Sequence, residues 1–213
     1  MKTTITIAAF LGAASLLIAP GIAQAQQPAP DEAETGRLNV SLGVGLVFPQ
    51  IQSELGTSGG VQLGVGYRVW KQLVPFAGVG YSQPGVDNTR SDPRLPADYM
   101  TATTQRELML SAGGFWRFLP ASSSINAYAG LAARVWLLES RTNGEAGGET
   151  FLENEETSTR YGGAVFGGGE YRVGPGAVML ELDIGGSDLP HLVTGDVTTT
   201  AISLFAGYRL LLL

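Results

Sequence analysis

A repeat of two constrains this chain more than any other feature. From Leu38 to Phe48 it reads LNVSLGVGLVF, with Leu38, Val40, Leu42, Val44, Leu46 and Phe48 at every second position. Asn39, Ser41, Gly43, Gly45 and Val47 lie between them. Successive side chains of an extended strand point to opposite faces, so this segment has one aliphatic face and one small, mostly polar face. The same alternation returns about eight times, and no amphipathic helix is present in the pattern to cover the aliphatic faces. Such faces are stable against lipid, and the polar faces then line the inside of a closed barrel.

The alternation predicts strands at about 37–49, 61–70, 73–83, 103–118, 125–138, 157–173, 177–186 and 197–212. Their connections run long, short, long, short, long, short, long. The short ones are Lys71-Gln72, the stretch 120–124, and Gly174-Pro175-Gly176, where proline fixes φ and glycine tolerates positive φ. The long ones are 50–58, the Pro/Asp/Asn-rich 84–101, the glycine-rich and acidic 141–156, and 187–196. Antiparallel barrels of bacterial outer membranes have short periplasmic turns, longer outer loops and an even number of strands. The expected fold is therefore all-β: an eight-stranded antiparallel up-and-down transmembrane β-barrel, with both termini in the periplasm and four extracellular loops. The longer strands exceed the ~9–11 residues that cross a bilayer and should project past it on the outer side. Trp116, Phe118 and Tyr171 near inner strand ends, and Tyr81 and Tyr161 nearer outer ones, suit the two interfacial aromatic girdles.

The first residues read as a targeting segment. Lys2 is followed by an apolar run from Ile5 to Ile18, then Pro20-Gly21 and the A-x-A site Ala23-Gln24-Ala25. Residues 1–25 are thus expected to be a signal peptide cleaved after Ala25, and 26–36 (QQPAPDEAETG) a flexible periplasmic leader. The barrel domain is expected over 37–213. The chain has no cysteine, which excludes a lipid-anchored lipoprotein, disulfides and thiolate metal sites. Its formal charge of −6 disfavours a nucleic-acid partner, whose footprint would be a basic face.

On the strand parity, the inward faces collect Arg68, Glu107, Arg117, Arg134, Arg160, Glu170, Arg172, Glu181, Asp183 and Arg209. An eight-stranded barrel is just wide enough for side chains to fill it, and buried charges must pair or hydrogen-bond. These residues are expected to form an interior polar network that plugs the bore. The alternative is a gated, narrow path for ions or small solutes. Glu181 and Asp183 share a face and could serve acid–base chemistry, but the facing arginines account for them more simply. Gly43-x-Gly45 lacks the third glycine and the helix of a dinucleotide fingerprint. The acidic stretch 141–156 (Glu145, Glu149, Glu153, Glu155, Glu156) is expected to be a solvated loop rather than a divalent-cation site, because nothing in it sets a ligand geometry. No metal site and no cofactor is expected.

With strand count, loop asymmetry and alternation in place, residues 37–213 resemble the small eight-stranded outer-membrane proteins, the class of the OmpA barrel domain and the OmpX, Ail and OmpW groups. The final strand resembles the assembly signal of that class at Gly207, Leu210 and Leu212, with Phe205 where a polar residue is usual and Leu213 in place of a terminal aromatic. The resemblance implies residence in the bacterial outer membrane, contact with outer-membrane lipid and lipopolysaccharide, and a monomer that meets an extracellular partner through its loops. It also implies a structural or surface-interaction role. Lipid-modifying enzymes of this architecture pair a histidine with a serine. His191, the single histidine, is followed by Leu192 and Val193 and fits a loop, so no enzymatic activity is expected. A soluble lipocalin-like binder is disfavoured, because the small residues and arginines share one face and the aliphatic residues the other.

Overall fold

In the computed structural model, residues 37–50, 55–90, 99–120, 123–146, 149–188 and 198–212 are described. The expected signal peptide and leader, and His191, lie outside them. Nine strands follow in order: β1 Leu38–Pro49, β2 Ser58–Tyr67, β3 Leu73–Ser82, β4 Gly85–Arg90, β5 Tyr99–Arg117, β6 Ile125–Ala146, β7 Glu149–Val173, β8 Gly176–Ser187 and β9 Ala201–Leu212. Every neighbour is antiparallel. The order β3-β2-β1-β9-β8-β7-β6-β5 closes on itself through pairing of β3 with β5.

Nine strands make eight staves. β3 pairs with Glu107–Trp116 of β5, and β4 pairs with Tyr99–Thr104 of the same strand. Gln83 and Pro84 interrupt the stave; proline has no N–H to give the ladder, but its carbonyl still accepts from the Gln105 amide at 2.9 Å. The expectation of a loop across 84–101 is corrected accordingly: β4 and the start of β5 occupy much of it.

A second correction concerns 141–156, expected as the longest loop. β6 and β7 stay paired there in register, Arg141 opposite Glu155 and Asn143 opposite Glu153, as far as Ala146 opposite Glu149. β8 joins β7 only over Gly162–Val173. Among the described residues, 149–161 therefore pair with β6 alone, at the far edge of an extension of the sheet made by β4, β5, β6 and β7 beyond the rest of the barrel. The second predicted strand also begins earlier, at Ser58, and ends at Tyr67.

The sides of the sheet follow the parity. Leu42, Leu63 and Leu182 point outward and are 53%, 46% and 49% exposed. Asn39, Tyr128, Asp183 and Arg209 point into the bore and are almost completely buried. Exposed Trp70 and Trp116 meet edge to face at 6.4 Å near the end that carries the short turns, beside Phe118. From Tyr171 at that end to Tyr161, both exposed, β7 runs 11 residues, which matches the length needed to cross a bilayer. At the turn before β8, Gly174 has a φ of +61°, a conformation that costs glycine little, and Pro175 fixes the next φ.

Candidate functional site

Inside the cylinder the alternation sends one side chain in two toward the axis, and different strands contribute each member of the polar set. Nearest the short-turn end, Arg117 of β5 and Arg209 of β9 share Glu170 of β7. Arg117 Nε lies 2.7 Å from Glu170 Oε1, and Arg209 Nη1 donates to Oε2 at 2.5 Å. The Arg209 guanidinium also sits 4.7 Å from the ring centres of both Phe115 and Tyr128. Such a stack lets a cation lie among aromatics without losing all its electrostatic compensation.

One layer up, Glu181 of β8 accepts hydrogen bonds from the Tyr128 hydroxyl and from Gln62 Nε2, each at 2.9 Å. Two residues further along β8, Asp183 takes both arms of Arg134: Nη1 donates to Oδ1 at 2.7 Å and Nη2 to Oδ2. This fork is the strong form of the pair, because two parallel bonds fix position as well as charge. Gly185 leaves the space it needs; a Cβ there would come within 2.6 Å of Arg134 Nη1. At the outer level, Glu107 accepts from Ser82 Oγ at 2.9 Å and from Gln105 Nε2 at 2.6 Å, and Gln105 in turn accepts from Ser140 Oγ at 3.0 Å.

Arg117, Arg134, Glu170, Glu181, Asp183 and Arg209 are thus linked in three layers, and Glu107 is held by neutral donors instead of a cation. Arg68 is buried toward the short-turn end, and Arg160 at the middle of β7 and Arg172 at its short-turn end are half-buried. Gln62, Ser82, Gln105, Tyr128 and Ser140 belong to the same hydrogen-bonded sets but were not among the candidate charges. Gln62 and Tyr128 share the strand parity of Arg68 and Arg134, but carry no charge to mark them in the sequence.

Much of the rest of the interior is aromatic, with small polar side chains such as Asn39 and Ser203 among it. Phe76, Phe115, Tyr128 and Phe166 form one cluster, with Phe76 and Phe166 edge to face at 5.4 Å. Two cavities within the bore, of about 50 and 40 Å³, each have room for a few waters. Met109 and Arg134 border both, so the side chains between the cavities include the Asp183-bound guanidinium. No group of three or more metal-ligating side chains occurs among the described residues.

Outside the bore, β5, β6 and β7 carry exposed cross-strand pairs. Arg106 meets Glu139 at 3.2 Å and Arg141 meets Glu155 at 2.8 Å. Hydrogen bonding to Glu155, then its charge, holds the Arg141 guanidinium above its ordinary range.

Comparison with known proteins adds the following. The family model described as the outer membrane protein beta-barrel domain matches residues 11–209. Among solved structures, Neisserial surface protein A aligns with a TM-score of 0.45 at 18% identity, covering 84% of this chain and 99% of that one. Ail, the attachment invasion locus protein of Yersinia pestis, aligns at 0.46 and 16%, covering 82% and 98%, and has also been solved with the heparin analogue sucrose octasulfate. OprG from Pseudomonas aeruginosa aligns at 0.48 and 10%, covering 83% and 97%. A search of curated protein sequences returns no match.

Proposed function

The chain belongs to the outer membrane protein beta-barrel domain family, and we propose that it serves in the bacterial outer membrane as a non-enzymatic structural and surface-interaction protein with a closed bore. Residues 1–25 direct export and are removed after Ala25, and 26–36 remain as a periplasmic leader. The monomeric barrel is held by outer-membrane lipid and lipopolysaccharide. Its outer connections and the β6–β7 hairpin meet an extracellular partner.

The observation that carries the closed bore is the Arg134–Asp183 fork between two cavities that are each only a few waters in size. A hydrated ion path needs continuous water, and a guanidinium held at two points interrupts it. The hairpin supports the surface role. It carries Glu145, Glu149, Glu153, Glu155 and Glu156 on strands that stand above the barrel, which suits a cationic partner and disfavours a polyanion of the sucrose octasulfate kind.

Planar-bilayer conductance tests the reading. The purified chain should give no stable unit steps, whereas Arg134→Ala joins the two cavities and should give small ones. Stable steps from the unaltered chain would replace the closed bore with a narrow channel for ions or small solutes.

A further inference from the structure

Two guanidiniums in the bore hold their carboxylates by terminal nitrogens alone. Arg134 binds Asp183 through Nη1 and Nη2, and Arg209 binds Glu170 through Nη1, so each keeps an Nε–H to spare. Both Nε atoms are buried without a hydrogen-bond partner among the described residues, and so is the Asn39 amide nitrogen. Arg134, Arg209 and Asn39 are 9%, 3% and 2% exposed and come from β6, β9 and β1. All three border the larger cavity, of about 50 Å³. A buried N–H left unpaired is costly, and more so on a cation.

The cavity is open because the wall facing these side chains is bare. Gly64 of β2 and Gly78 of β3 border it, and a Cβ at either would come within 2.8 Å of Ser41 Oγ or 3.1 Å of Ser111 Oγ. The charged residues in its lining are Arg134, Arg209 and Glu181, a surplus of one positive charge, because Asp183 and Glu170 lie outside that lining. Both oxygens of Glu181 already accept, from Tyr128 and from Gln62. Three spare donors and a positive wall are completed together by one singly charged species that only accepts. Water accepts too, but brings two hydrogens that need acceptors of their own and no charge. The volume admits a monatomic anion and leaves no room for an organic one.

We infer that the cavity bordered by Asn39, Arg134 and Arg209 is a binding site for a halide-sized anion such as chloride. The inference goes beyond the closed bore and does not rest on it, because the same donors would hold the ion in a conducting barrel.

Urea unfolding in phosphatidylcholine vesicles tests the site, with sodium chloride replacing sodium gluconate at constant ionic strength so that screening stays fixed. An ion that binds only the folded barrel multiplies the ratio of folded to unfolded protein by 1 + [L]/Kd. The ratio should therefore climb with chloride, by about tenfold at ten times Kd. Asn39→Leu keeps the size of the side chain without its amide and should weaken that dependence several-fold, whereas Ser203→Ala, beside the smaller cavity, should leave it unchanged. Crystals of the unaltered chain grown in sodium bromide should show an anomalous peak next to Asn39 Nδ2 and the two Nε atoms, a readout that stands even where Asn39→Leu does not fold. A ratio indifferent to chloride would leave the cavity to water and overturn the site, with or without a peak at crystal concentrations of bromide. A dependence of equal size in Asn39→Leu, or crystals with no peak in the cavity, would overturn it as well.

Discussion

Replacing Asp183 with leucine removes one member of the Arg134 fork and leaves the other charged in the bore. Both side chains are less than 10% exposed. Two unit charges about 4 Å apart attract by about 4 kcal/mol at an effective dielectric of about 20. The loss also strands two guanidinium donors, and breaking one side of a buried pair generally costs about 3–5 kcal/mol. The flanking cavities admit a few waters that can partly solvate the orphaned cation, which places the expected cost toward about 3 kcal/mol. Arg134→Met combined with Asp183→Leu removes both charges and should recover most of that loss. Urea unfolding in lipid vesicles, followed through tryptophan fluorescence to which Trp136 beside the smaller cavity contributes, measures each variant. Single substitutions costing under about 1 kcal/mol, or a double variant no better than the sum of its parts, would refute the reasoning.

Three further outcomes follow from the packing. Gly185→Ala brings a Cβ within 2.6 Å of Arg134 Nη1 and should cost about 1–3 kcal/mol in the same unfolding assay, whereas Gly59→Ala meets nothing within 4 Å and should be neutral. Tyr128→Phe takes one of two hydrogen bonds from Glu181 and should cost about 1–3 kcal/mol, read from the shift in urea midpoint. Arg141→Ala breaks an exposed, solvent-screened pair above the membrane and should leave the urea midpoint essentially unchanged, at low salt as at high.

How far the sequence reveals this architecture depends on which solvent each segment meets. Where one face meets lipid and the other the bore, the two demands differ, and the alternation from Leu38 to Phe48 displays both. Residues 149–161 of β7 have water beyond the membrane on both sides, so nothing makes one face apolar. Their Thr and Glu content resembles a loop, although they pair residue for residue with β6. β4 is hidden for a different reason: Pro84 breaks the stave, and the six residues after it are too few to establish a period. Parity also assigns side chains to the bore without saying which of them meet. That Arg117, Glu170 and Arg209 converge depends on the stagger between β5, β7 and β9, a quantity fixed by barrel closure and invisible in any one segment.

Sidedness is the claim on which the rest depends. The absence of native cysteine allows a bimane fluorophore to be placed singly at Leu42, Leu63 or Leu182, and at Ser41, Gln62 or Ser203 for comparison. In vesicles whose acyl chains carry bromine, the first three positions should be strongly quenched and the second three hardly at all. The opposite pattern, or equal quenching at both sets, would contradict a barrel whose aliphatic residues face lipid and whose charges face its own axis.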